Sequence, residues 1–239
     1  MALFRREPPV FEGGGRRRQL IVKPNPQARR MRLAVDPRDG SVRLTLPKRA
    51  SLRQALEWAE DKRAWVEAEL ARLPLGRPIT PECDIPFEGR PVRVEWQAGG
   101  ARTVRREADC LIVGGPIEAL SNRILRWLRQ EAQRVLDQET REIAARAGVA
   151  VGKVSVGDPR GRWGSCSYSG DIRYSWRLIM APVDVRRATV AHEVAHRLHM
   201  DHSPAFHAAA AQLFGRDPDP ERRWLRKYGS SLHWVGRET

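Results

Sequence analysis

His192-Glu193-Val194-Ala195-His196 places two histidines four residues apart with a glutamate directly after the first. Residues four apart lie on the same face of a helix, one turn above each other. His192 and His196 are therefore spaced to bind one metal ion, and Glu193 reaches the edge of the same site. Two imidazoles that hold zinc, with a carboxylate that takes a proton from metal-activated water, are what a metallohydrolase needs.

A third metal ligand is expected downstream, since all six histidines lie between His192 and His233. The candidates are His199, His202 and His207. A continuing helix would carry His199 about 10 Å along its axis from His192, too far for zinc bonds of about 2 Å.

His202 fits better, because Ser203-Pro204 is typical of a helix N-cap followed by proline at the first helical position. We therefore predict that the metal-binding helix runs from Pro182 to about Met200 and that His202 lies in the turn after it. His207, in the next helix, is the second candidate.

The spacing from His192 to His202 equals that of the metzincins, which have glycine where this chain has His199. Metzincins also require a methionine turn after the third histidine. No methionine follows His202, so the metzincin interpretation is excluded.

A longer pattern surrounds the histidine motif. Its elements are Arg162-Trp163-Gly164-Ser165-Cys166-Ser167, Gly170-Asp171-Ile172-Arg173, Trp176-Arg177-Leu178-Ile179, Ala181-Pro182, the motif itself, Asp201-His202-Ser203-Pro204 and Phe206. This pattern, over residues 160–207, resembles the YgjP-like zinc metallopeptidases, relatives of the SprT and WLM proteases. The resemblance implies zinc bound by His192, His196 and His202, with Glu193 as general base. Tyr174-Ser175 and Arg197 depart from the family's usual residues, at positions without a chemical role.

Composition indicates a cytoplasmic globular protein. No apolar stretch approaches the length of a membrane span, and the N-terminal residues lack the apolar core of a signal peptide. Three widely spaced cysteines indicate reduced thiols. Cys166 lies near the histidine motif, and we interpret it as a small buried residue rather than as a metal ligand.

The net charge of +14 raises the question of nucleic-acid binding. Only five of the 43 basic residues are lysine, an arginine excess that a GC-rich genome also produces. No zinc ribbon, helix-turn-helix or aromatic RNA-binding motif accompanies the charge. A solvated basic surface is therefore the default interpretation.

We predict an α+β fold in which a zincin-like metallopeptidase domain follows a β-rich N-terminal region. A disordered tail over residues 1–17 is expected from the diproline and triglycine sequences. Residues 18–115 form the predicted β-rich region with a helical insert, and residues 116–239 the catalytic domain. Within the latter, Pro116 to Ala147 is a predicted long helix, and residues 162–176 a predicted β-hairpin.

Three functions remain open. The first is a zinc-dependent metallopeptidase that acts on a protein or peptide without a membrane partner. The second is a metal-dependent hydrolase of nucleotides or other small phosphorylated substrates, and the third is a non-enzymatic nucleic-acid-associated zinc module. An open groove along an exposed strand edge would favour the first, and a narrow polar pocket lined by arginines would favour the second.

Overall fold

The computed structural model describes residues 8–159 and 161–238. Contacts divide the chain into two compact units between Arg77 and Pro78. Sheets and helices occur in both units, and the architecture is α+β as predicted. Each unit has a core of its own.

The smaller unit contains five strands and two helices. These are β1 (Val10–Gly13), β2 (Arg16–Gln19), β3 (Ile21–Asn25), β4 (Arg32–Val35), β5 (Val42–Pro47), α1 (Leu52–Asp61) and α2 (Arg63–Ala71). β1 and β2 form an antiparallel hairpin, while β5 lies between parallel β3 and antiparallel β4. Ser51 caps α1 by accepting from the Gln54 amide at 3.4 Å, as the sequence predicts.

The predicted disordered tail over residues 1–17 is wrong where the structure describes it, and residues 1–7 lie outside the described part. Residues 10–17 form most of the β1–β2 hairpin. Phe11 is fully buried, and buried Arg16 donates from Nη1 to the Leu70 carbonyl at 3.3 Å. One aromatic side chain and one inward-facing arginine therefore anchor a segment whose composition indicates disorder.

The larger unit contains seven strands and four α-helices. These are β6 (Asp84–Phe87), β7 (Arg90–Gln97), β8 (Arg105–Glu107), β9 (Cys110–Gly114), α3 (Leu120–Arg146), β10 (Val154–Gly157), β11 (Gly164–Cys166), β12 (Ile172–Ser175), α4 (Val183–Ala195), α5 (Pro204–Phe214) and α6 (Asp219–Tyr228). One sheet has the order β6-β7-β9-β8 and the other the order β10-β12-β11. β11 and β12 pair antiparallel, which confirms the predicted hairpin.

The predicted boundary between residues 115 and 116 lies inside this larger unit and needs correction. Val94 and Leu111 of the four-stranded sheet belong to the same core cluster as Ile124 and Leu128 of α3. A boundary between them would expose apolar surface on both sides. Contacts between residues far apart in the sequence thus place the division at Arg77–Pro78 instead.

The long helix α3 confirms the prediction made from its apolar periodicity. It is preceded by a 3-10 turn and ends before Gly148, whose φ is +65°. Its buried residues include Ile124, Leu128, Leu136 and Ile143, which recur at helical spacing on one face. None of the described helices combines the length and apolar character needed to cross a membrane.

A buried ion-pair cluster fixes α4 against α3. Arg186 of α4 donates from Nε and Nη2 to the two carboxylate oxygens of Glu139, at 3.0 and 2.9 Å. Its Nη1 lies 3.1 Å from Glu88 Oε1, in the turn between β6 and β7. A paired guanidinium in this position holds the helix in one orientation, since removal of either partner would leave a buried charge unpaired.

Candidate metal centre

Helix α4 carries His192 and Glu193 and ends at Ala195, with His196 as its C-cap. The predicted end near Met200 is therefore wrong. After Ala195 the backbone tightens into hydrogen bonds between residues three apart, from Arg197 N to Val194 O and from Leu198 N to Ala195 O. The earlier end turns the chain away from the helix axis before His202.

The turn after α4 brings His202 back toward the helix. Asp201 Oδ1 accepts from the Ser203 amide at 3.1 Å, and Ser203 Oγ accepts from the Phe206 amide at 3.3 Å. Pro204 occupies the first position of α5. The predicted N-cap and proline start are confirmed, and they fix His202 directly before a helix N-terminus.

His192, His196 and His202 offer ring nitrogens that all lie within 4.8 Å of one another. The Nε2 atoms of His192 and His202 are 3.4 Å apart. Within the described residues, neither His199 nor His207 belongs to this group. His207 instead places Nδ1 3.4 Å from Arg222 Nη2. The structure therefore brings together the three histidines that the sequence analysis selected.

Phe206 packs against all three imidazoles. Its ring centroid lies 4.9 Å from that of His192, 4.5 Å from that of His196 and 4.8 Å from that of His202. Phe206 is fully buried in α5, so it restricts the orientation of each histidine ring. Phe206 belongs to the family pattern in the sequence, which does not predict this role in the site.

A backbone carbonyl orients His196. The Nδ1 of His196 lies 3.2 Å from the His199 carbonyl, which accepts the hydrogen bond and leaves Nε2 as the ring's electron-pair donor. Metal-binding histidines usually have such an outer partner. His199 thus contributes to the site through its backbone, a role that sequence spacing does not reveal.

Burial keeps the helix histidines neutral. It lowers the pKa of His192 to about 3, with smaller contributions from neighbouring His196 and Arg222. Burial also lowers the pKa of His196. Neutral imidazole is the form that binds a metal, so these two rings need not lose a proton at pH 7.

Glu193 is 4% exposed, and burial raises its pKa to about 8, while the charge of Arg162 acts in the opposite direction. A divalent cation beside the carboxylate would favour its ionised form. Glu193 faces Gly164 of β11, where a Cβ would lie 2.6 Å from Glu193 Cγ and 2.7 Å from Cδ. The glutamate side chain therefore occupies the space that the missing side chain of Gly164 leaves.

A pocket of about 240 Å³ opens beside Glu193 and His192. Trp163, Val185, Ala188, Pro218 and Leu225 supply apolar parts of its wall, and Arg162 and Arg222 also line it. The pocket can hold an apolar side chain next to the carboxylate and the histidines. Only the glutamate and histidine positions of this pocket were assigned roles from the sequence.

Cys166 is not one of the grouped metal ligands in the described residues. It is half-buried, and its thiol donates to the Ser167 carbonyl with the sulfur 3.4 Å from the oxygen. Burial raises the pKa of Cys166, which favours the thiol over the metal-binding thiolate. The residue does not belong to the ligand group, as expected, but it is half-buried rather than buried.

Gly164→Ala is expected to lower any hydrolysis that depends on Glu193 by about 100-fold, the effect of displacing a catalytic group by roughly 1 Å. Metal content should stay at the wild-type level, because Gly164 is not one of the three grouped ligands. Gly161→Ala is the matched control, since a Cβ there meets nothing within 4 Å. Wild-type turnover by Gly164→Ala would show that the carboxylate does not need its present position.

Comparison with known proteins gives one family. The model described as "YgjP-like, metallopeptidase domain" matches residues 29–228, most of the chain. No curated protein and no solved structure matches the chain. The match includes the three histidines, Glu193 and the strand β11 beside them.

Proposed function

Because the chain belongs to the YgjP-like metallopeptidase family, we propose that it is a zinc-dependent peptidase of zincin-like architecture. In this proposal His192, His196 and His202 hold the metal, and Glu193 is the general base. One observation carries the proposal. Ring nitrogens of three histidines lie within 4.8 Å of one another, and the buried Glu193 carboxylate beside them lines a pocket.

The donor set fits zinc. Two ligands of a tetrahedral zinc with bonds of 2.0–2.1 Å lie about 3.3 Å apart, close to the 3.4 Å between His192 Nε2 and His202 Nε2. Structural zinc sites usually have four protein ligands, whereas catalytic sites have three and an open position. Three ligands in the described part of the chain, with a glutamate beside them, favour a catalytic site.

Zinc in such a site supplies Lewis acidity and lowers the pKa of a bound water toward 7. Glu193 accepts a proton from the attacking water and later delivers it to the leaving amine. The carbonyl of His199 and the ring of Phe206 hold the histidines in place during both proton transfers. Gly164 leaves room for the Glu193 carboxylate.

Arg162 and Arg222 in the pocket wall are the feature expected of a nucleotide hydrolase, but two other features of the site favour a peptide. The apolar part of the pocket wall, from Val185, Ala188 and Leu225, suits an amino-acid side chain better than a chain of phosphates. β11 is an edge strand that pairs only with β12 in the described residues. Its outer edge is suited to an extended peptide, which can add to a sheet as a further strand.

Zinc-loaded protein should cleave unfolded proteins and peptides, and treatment with a chelator should abolish the activity. Restoring about one zinc per chain should restore cleavage, because the three histidines form one binding site. Nucleoside triphosphates tested in parallel are the comparison. Turnover of the triphosphates without cleavage of any peptide bond would contradict the proposal and favour the small-molecule hydrolase.

A further inference from the structure

The outer face of the sheet β10-β12-β11 carries a row of polar residues. Ser155, Arg173 and Ser165 are register partners on the three neighbouring strands. They point away from the core, because the alternate residues Ile172 and Tyr174 are buried. Together with Lys153 and Arg162, these residues line a second pocket of about 410 Å³.

The charges of this outer pocket are unbalanced. Lys153, Arg162 and Arg173 are positive, and Asp171 is its acidic member. Asp171 Oδ1 already accepts from the Lys153 backbone amide at 2.8 Å. Neither Lys153 nor Arg173 has a side-chain ion pair in the described part of the chain, although other surface arginines such as Arg134 and Arg141 do.

The guanidinium of Arg173 has a defined place on this face. A Cβ on Gly157 of β10 would lie 2.7 Å from Arg173 Nε and 2.9 Å from Cζ. The side chain therefore lies over the glycine, along the sheet surface, with its donors available to the pocket. A side chain at position 157 would displace the Arg173 guanidinium from this place.

The outer pocket shares a wall residue with the pocket beside Glu193. Arg162 lines both pockets. Gly164 of β11 lines the first pocket, and the next residue, Ser165, lines the second. A peptide that runs along the edge of β11 would place alternate side chains on the two faces of the sheet.

The chemistry of the outer pocket favours carboxylates on a peptide. The cationic side chains of Lys153, Arg162 and Arg173 and the hydroxyls of Ser155 and Ser165 can all donate hydrogen bonds to a carboxylate. Nucleic-acid sites usually stack bases on aromatic rings, and no aromatic residue lines this pocket.

We propose that the outer pocket formed by Lys153, Ser155, Arg162, Ser165 and Arg173 is a subsite that binds an acidic side chain of the peptide substrate. The inference rests on the proposed peptidase function and gives it a substrate preference. Peptides with glutamate or aspartate near the cleaved bond bind more tightly than peptides with the corresponding amides.

The test uses matched peptides that differ only by glutamate or glutamine near the cleaved bond, with the zinc-loaded full chain. The glutamate peptide should have the higher kcat/KM through a lower KM. Arg173→Gln should lower kcat/KM for that peptide about tenfold, the low end for a charged hydrogen bond because Arg173 is exposed. Arg126→Gln, an exposed arginine of α3 outside both pockets, removes the same charge and should retain the preference.

A binding measurement separates this inference from the proposed function. Glu193→Gln, with and without Arg173→Gln, is titrated with a fluorescent glutamate-rich peptide, its glutamine counterpart and single-stranded DNA. Tighter binding of the glutamate peptide, weakened about tenfold by Arg173→Gln, supports the subsite. If this binding is observed but no peptide is cleaved, the peptidase function is wrong and the acidic subsite stands.

Other outcomes overturn the subsite. Cleavage of both matched peptides at equal kcat/KM leaves the peptidase function standing and removes the acidic preference. An equal loss in Arg173→Gln and Arg126→Gln would assign the effect to net charge alone. If the protein binds DNA through Arg173 and does not bind the glutamate peptide, the outer pocket is a nucleic-acid site instead.

Discussion

Glu193→Gln is expected to lower kcat for peptide hydrolysis by 10²- to 10⁴-fold, the usual contribution of a general base. Glutamine has nearly the same size as glutamate, so the buried position beside Gly164 can accept it without repacking. Its amide cannot accept the proton of the attacking water. Zinc content should remain at about one per chain, because Glu193 is not among the three grouped ligands.

The rate and the metal content must be measured on the same preparation of the variant, because lost zinc would mimic lost catalysis. Glu142→Gln is a matched control: its carboxylate lies on the surface of α3 and pairs with Arg187 at 3.1 Å. An exposed pair of this kind contributes about 0–1 kcal/mol to stability, so activity should persist. A Glu193→Gln protein with full zinc and wild-type turnover would remove Glu193 from the mechanism.

The positions of the candidate ligands could be predicted because the signals are local. Helical spacing relates His192 to His196, and the capping residues Ser203 and Pro204 mark the helix start that directly follows His202. Both signals depend on residues within one or two turns. The length of α4 was overestimated, since no glycine or proline marks its end at Ala195.

The surroundings of the site depend on distant residues and could not be predicted. Gly164 comes close to Glu193 only because β11 packs beside α4, 29 residues away in the sequence. Arg186 is charged, and a hydrophobicity pattern places it at the surface, yet the fold buries it against Glu139 and Glu88. Partners of this kind are chosen by the tertiary structure.

The prediction of disorder for the N-terminal hairpin was wrong for a related reason. Its glycines and arginines indicate a loop or tail, and Phe11 is the single aromatic residue in β1 and β2. The contacts that order it come from α2, more than 50 residues later, through Leu70 and Glu67. Local composition therefore underestimates order where long-range contacts supply the stabilisation.

His202→Ala is expected to weaken zinc binding by more than about 100-fold, since even the outer partners of metal ligands contribute 10- to 100-fold. The variant leaves His192 and His196 in place, and two imidazoles from one helix do not close the site. Competition with a chromophoric chelator measures the affinity. His202 is exposed, so the stability of the metal-free protein should change by at most about 0.5 kcal/mol.

Two neighbouring histidines provide the controls for His202→Ala. His199→Ala keeps the backbone carbonyl that accepts from His196, and His207→Ala removes a ring that faces Arg222 instead of the ligand group. Both should bind zinc with nearly wild-type affinity. Full zinc binding by His202→Ala, with loss in His207→Ala, would assign the third ligand to α5. Because we expect Glu193→Gln to retain the metal and His202→Ala to lose it, the pair separates a missing proton acceptor from a missing metal.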